Sequence, residues 1–254
     1  MRIGRGAGPR GKRGGQLELL DAMVEKRRGG KRRGAGRPAK GARASEAHKR
    51  RPFLDARHPV HVVLRVERVV GALRRRLVYR AVRAATQVVL RRADFRIVHL
   101  SIQRTHLHLL VEANSKAALA AGMQSFQISA AKRLNAAISQ DRPGPRRRGR
   151  VFPDRYHAET VTSPTQAHHA LSYVINNWRK HQEDRGEGRH WSFDPYSSAS
   201  RFSDWLEDGE AAFGLFQPPL FKPLAVQPPR TWLLREGWKK AGPISCHSVP
   251  SRRS

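Results

Sequence analysis

An α+β fold built on a single antiparallel sheet is predicted by three features of this 254-residue chain. Short β-branched runs alternate between two faces, as strands with one buried side do. Longer stretches between them carry apolar residues at helical spacing. Two of the strand runs are separated only by Arg104-Thr105, a connection so tight that the strands must fold back on each other as a hairpin.

The first strand is Val60-His61-Val62-Val63-Leu64-Arg65-Val66, with Val60, Val62, Leu64 and Val66 on one face and His61, Val63 and Arg65 on the other. A helix follows from about Leu73 to Arg92, its apolar stripe read as Leu77, Ala81, Ala84 and Val88. Arg96 to Gln103 forms the second strand, with Val98, Leu100 and Ile102 facing one way and His99, Ser101 and Gln103 the other. The third is Thr105-His106-Leu107-His108-Leu109-Leu110-Val111-Glu112. Asn114-Ser115 supplies an N-cap for a helix from about Lys116 to Ile138, whose apolar content is Leu119, Met123, Phe126, Ile128, Ala130 and Leu134. After a turn rich in Pro, Gly and Arg, Tyr156 to Thr162 reads as a fourth strand. Ser163-Pro164 opens the last long helix, with proline in the first turn where its missing N–H costs nothing. That helix runs to about His181 over a core stripe of Leu171, Val174, Ile175 and Trp178. The order β-α-β-β-α-β-α is that of the ferredoxin-like split β-α-β sandwich, with helices covering one sheet face and the other left open.

Charge restricts the partners. Fifty Lys and Arg against 20 acids give a formal net charge of +30, so the chain attracts polyanions, nucleic acid first, through counterion release. No apolar run approaches the ~20 residues that span a bilayer, so no membrane role is expected. The basic N-terminus has no apolar stretch behind it to act as a secretory signal. The single cysteine, Cys246, excludes an internal disulfide and a cysteine-built zinc cluster. Together these features suit a cytoplasmic, nucleoid-associated protein.

Three segments are expected. Residues 1–56 are too rich in Gly, Lys and Arg to bury a core and read as a disordered basic DNA-binding arm, with one short amphipathic piece at Gln16–Lys26. Within it Gly34-Ala35-Gly36-Arg37-Pro38 resembles the AT-hook, but Ala35 stands where that motif has its first arginine, which leaves Arg37 as a phosphate contact. Residues 57–182 form the folded domain. Residues 183–254 are rich in Pro and aromatics without clear periodicity; they are expected to wrap over the domain with one short helix near Trp232, packing it or stacking on unpaired bases.

The chemistry centres on His106 and His108. Two residues apart on a strand, both project from one face and offer a pair of nitrogen ligands to a divalent ion, although a half-exposed sheet face also carries histidines with no metal. On the last helix Tyr173 and Asn177 lie one turn apart, away from the core stripe. A phenol can attack phosphate and a carboxamide oxygen can complete a metal site, yet a helix-surface tyrosine often does neither. Tyr156, beside Arg155 and His157, is the rival nucleophile. The same open face carries His61, Arg65 and Gln103, and the 141–150 turn carries Arg146, Arg147 and Arg148; all six are read as nucleic-acid contacts.

Three segments resemble the single-tyrosine HUH transposases of the IS200-like type, including the REP-associated group: Thr105–Val111, Gly149–His157 and Leu171–Asn177. The resemblance spans about residues 57–182. It implies a transposase that cleaves and rejoins single-stranded or hairpin DNA at inverted repeats, through a 5′-phosphotyrosine and a free 3′-OH. It further implies Tyr173 as nucleophile and a Mg²⁺ or Mn²⁺ ion held by His106, His108 and Asn177. Trp178 departs from the family, many members of which have proline after the asparagine. A non-catalytic basic nucleic-acid-binding relic is the alternative, against which the retention of all four residues argues. A relaxase or replication initiator would share the chemistry, but the chain has neither a helicase P-loop nor a second tyrosine beside Tyr173. Monomer and homodimer both remain open.

Overall fold

The computed structural model describes residues 53–140, 144–185, 192–207 and 222–250; the arm with Gln16–Lys26 and Arg37 lies outside them. Four strands, β1 (Val60–Arg65), β2 (Phe95–Ile102), β3 (His106–Ala113) and β4 (His157–Thr160), form one sheet in the order β2-β3-β1-β4. Every neighbouring pair is antiparallel. With helices α1 (Arg76–Val89), α2 (Lys116–Gln140) and α3 (Pro164–Lys180) between and after the strands, this is the predicted α+β, ferredoxin-like arrangement.

Strand alternation sorts the side chains into two cores. Val60, Val62, Leu64, Leu107, Leu109 and Val111 face α1 and α2 in the larger one. The helix α1 meets it chiefly through Val78, Val82, Ala85 and Val89; of the expected Leu77–Val88 stripe Ala81 is buried and Leu77 packs at the margin, whereas Val88 is 47 % exposed. The two stripes differ by one residue and satisfy the same spacing, but the observed one also buries Tyr79 and Thr86. In α2 the N-cap is as expected, Ser115 Oγ accepting from Ala118 N at 3.1 Å, whereas Ile128 points outward. A bulge in β2 leaves Val98 without a partner between Ile97↔Val111 and His99↔Leu110. The extra residue shifts the alternation, so Ile97 joins Leu100 and Ile102 in the first core and Val98 turns to the opposite face, contrary to expectation.

The opposite face is not open. Against Val98, Leu110 and Val161 pack Ala167, Leu171, Val174 and Ile175 of α3, and over them Phe202, Trp205, Leu233 and Trp238 of the C-terminal extension. The extension includes the expected short helix, α4 (Trp232–Arg235), followed by a 3-10 turn at Gly237–Ala241. It also covers the free edge of β2: Ile102 N donates to Tyr196 O and Ser198 N to Leu100 O, both at 2.8 Å, and Gln227 N to Ile97 O at 2.9 Å. An uncovered strand edge invites pairing with other chains, and here the same polypeptide occupies it. The extension is tied down by two buried acids. Asp194 receives both Nη atoms of Arg74 at 2.9 and 3.0 Å, and Glu112 receives the backbone N–H of Arg230 and Thr231.

Candidate active site

The site forms where β1, β3 and the C-terminal half of α3 meet. Register places Val63 opposite His108 and Arg65 opposite His106. Both histidines leave the sheet toward α3, with their Nε2 atoms 2.8 Å apart. His108 is buried and His106 half-buried. Burial, with His61, His106, His181 and Lys180 adding like charge, pushes His108 down to about 2. Burial, with His181 and Arg65, pushes His106 down to about 4. Both rings are therefore neutral near pH 7 and keep the lone pair that a metal ligand needs.

The helix α3 is fixed at both ends. Ser163 Oγ accepts from Gln166 N at 3.3 Å, and Gln166 Oε1 accepts from Thr162 N at 2.8 Å, a reciprocal cap that satisfies two otherwise orphaned donors. At the other end Arg179 donates to the carbonyls of Cys246 and Ser192 and to Asp184. Its core stripe of Leu171, Val174, Ile175 and Trp178 is buried as expected, and this rotation turns Tyr173 and Asn177 to the histidines. The Tyr173 ring meets His108 edge-on at 5.0 Å between centroids, and Lys180 Nζ lies 4.9 Å from the ring centre. Burial raises the Tyr173 phenol above its ordinary value, offset in part by the adjacent Asn177 amide. That amide is fully buried, and neither its oxygen nor its nitrogen completes a hydrogen bond of good geometry. A buried amide that lacks a well-formed hydrogen bond costs free energy, and its oxygen together with the two neutral imidazoles could hold a cation. The donor set suits a divalent ion.

Among the residues read as nucleic-acid contacts, His61 stands apart. It is half-buried in the site, with Nε2 3.1 Å from His108 Nδ1, its ring stacked on His108 at 5.2 Å and edge-on to Tyr173 at 5.8 Å. Alternation put His61 on the correct face, but its diagonal approach to His108 depends on strand register, which one sequence does not reveal. Gln103 is 1 % exposed, its amide donating to Ser101 Oγ; the extension over this face removes it as a DNA contact. Arg65, Arg146 and Arg148 are exposed. Arg147 is held against α2 through Asn135 and donates to Arg150 O at 3.0 Å. Tyr156, the rival nucleophile, is buried in the core on the far side of the sheet.

A second group of ligand-type side chains, Glu207, Cys246 and His247, lies in the extension with donor atoms within 4.8 Å of one another. Its carboxylate already accepts from Ser245 Oγ and Cys246 N. Burial and the Glu207 charge push the Cys246 thiol up to about 11.

A family model described as "Transposase IS200 like" matches residues 56–177. No curated protein sequence matches the chain. Among the solved structures that resemble it are the following two. A REP-associated tyrosine transposase bound to a REP hairpin has 16 % identity and a TM-score of 0.45, over 73 % of this chain and 96 % of that one. A second structure, described as a putative transposase from Deinococcus radiodurans R1, has 14 % identity and a TM-score of 0.34, over 56 % of this chain and 97 % of that one.

Proposed function

We propose that the domain whose residues 56–177 match the IS200-like transposase model cuts and rejoins single-stranded or hairpin DNA through a covalent bond to Tyr173. The observation that carries the proposal is the edge-on contact of Tyr173 with His108, whose Nε2 is paired with that of His106, on a helix that also brings in the buried Asn177 amide.

In this reading the Tyr173 hydroxyl attacks the scissile phosphorus. A bond forms from its oxygen to the 5′ side of the break, the bond to the 3′ oxygen is lost, and the proton leaving the phenol is balanced by one gained at the 3′-OH. Attack by another 3′-OH reverses the sequence and joins strands. His106, His108 and Asn177 would hold Mg²⁺ or Mn²⁺, which when bound polarises the phosphate and offsets the charge that develops in the displacement. Lys180 above the ring favours the phenolate. His61 accepts a hydrogen bond from His108 Nδ1 and so keeps the His108 Nε2 lone pair turned to the site. Arg65, Arg146 and Arg148, with Arg37 in the arm, contact backbone phosphates and set register without reading sequence.

The test is an adduct assay. The full chain, a labelled hairpin carrying the inverted repeats that flank its own gene, and Mn²⁺ are expected to give a protein–DNA adduct that survives denaturation and is lost on chelation. Tyr173→Phe should abolish it. An adduct that persists in Tyr173→Phe overturns the nucleophile assignment, and binding without any adduct favours a non-catalytic DNA-binding protein.

A further inference from the structure

Among the described residues, the Phe and Trp side chains of the C-terminal extension divide into two kinds. Phe193, Phe202, Trp205 and Trp238 are 2–7 % exposed and pack over α3. Trp232, on the first residue of α4, is 52 % exposed. Burying an indole is among the larger apolar gains open to a fold, so packing does not explain Trp232.

Its setting is specific. Trp232 lines a groove of about 530 Å³ together with Arg57, His58, Thr162 and Arg230. The ring is not loose: a Cβ added at Gly237 would lie 2.8 Å from its edge, so the indole rests directly on that backbone. Lys240 Nζ lies 5.2 Å from its centre. Arg230 is exposed while its backbone N–H is anchored on Glu112. Arg57 pairs with Asp55 at 2.7 Å, but its side chain is 84 % exposed, and an exposed pair of this kind is screened by water and adds little, so its guanidinium is free to exchange Asp55 for a phosphate. A fixed, exposed aromatic plane ringed by cations is the arrangement that holds one unpaired base and the phosphates beside it. The chain's +30 charge fits an anionic occupant and disfavours an apolar peptide alone.

We propose that Trp232 is a stacking platform for an unpaired nucleotide of single-stranded DNA, with Arg57 and Arg230 on its flanking phosphates. This rests on the DNA-processing reading above and adds to it a second contact, distinct from the cleavage site. The groove reaches α3 at Pro164 in its first turn, whereas Asn177 lies over three turns later, roughly 20 Å along the helix at 1.5 Å per residue. The strand held there is thus several nucleotides removed from the one being cut, and its grip sets the length of single strand the protein engages.

The test uses the full chain carrying Tyr173→Phe, so that DNA stays intact, and short labelled single-stranded and duplex oligonucleotides read by fluorescence anisotropy. Adding Trp232→Ala is expected to weaken single-strand binding between about 5- and 150-fold, the range for loss of one base–aromatic stack, and to leave duplex binding unchanged. Trp232→Phe should restore most of it. Arg230→Ala should flatten the salt dependence of single-strand binding by about 0.7 in log–log slope, as for one phosphate contact. Equal single-strand affinity with and without Trp232, in a protein that does bind single strands, overturns the platform and leaves the cleavage reading intact. Absence of any single-strand binding by the Tyr173→Phe chain overturns both.

Discussion

His61 and His108 show how one contact decides what an imidazole can do. With its Nδ1 hydrogen-bonded to His61 at 3.1 Å, His108 presents Nε2, 2.8 Å from the same atom of His106. Removing His61 frees the His108 ring to rotate and to place its proton on either nitrogen. His61→Ala should therefore weaken Mn²⁺ binding by 10- to 100-fold, the usual effect of losing a metal ligand's outer partner. Titration followed by electron paramagnetic resonance measures it, and His61→Gln, which keeps an acceptor, should recover part of the loss. Unchanged affinity in His61→Ala would remove His61 from the site. The candidate nucleophile and ligands were legible in sequence because each sits on a regular element: His106 and His108 by strand alternation, Tyr173 and Asn177 by helical spacing. His61 was legible only as a residue of the correct face, since its partner lies on another strand and the pairing register is a tertiary property.

At the scale of elements, the close approach of α2 to β2 is set by Gly122. A Cβ there would lie 2.1 Å from Phe95 Cγ, and Phe95 is buried at the end of β2. Alanine at this position gains about 1 kcal/mol of helix propensity but must push an aromatic ring out of a packed core, a cost of about 1–3 kcal/mol or more. The steric term wins because the contact is with the ring's attachment point and not with the tip of a flexible chain. Gly122→Ala should lower the urea midpoint, and a raised midpoint would show that α2 can retreat. Element identity was readable throughout the domain, while the fine rotation of elements was less so. The helix α1 offered two apolar stripes one residue apart, and the β2 bulge reversed Val98. Both outcomes depend on what the facing elements present, information absent from a local window.

For the whole molecule, the described part of the extension belongs with the domain, in one compact unit. Its composition concealed this. Proline and irregular spacing argue against an independent core, and indeed it has none; its aromatics complete a core whose other half is α3 and the sheet. Arg74 and Asp194 carry much of the attachment, with side chains 10 % and 0 % exposed. Asp194→Ala leaves Arg74 buried without its principal counter-ion, which should cost about 3–5 kcal/mol. Limited proteolysis checks this: the variant should be cut within residues 192–207 at protease levels that spare the wild type. Equal resistance would mean that Glu112 and the aromatic cluster suffice.

The extension's place over α3 also orders events during synthesis. A nascent chain that has reached Lys180 already contains His61, His106, His108, Tyr173 and Asn177, yet the outer flank of the helix that carries the tyrosine is still bare. Phe202, Trp205, Leu233 and Trp238 arrive last, and contacts so distant in sequence form late. Completion of the polypeptide is therefore what covers that flank: a chain interrupted at Lys180 holds all five side chains but has a helix whose outer apolar residues still face solvent.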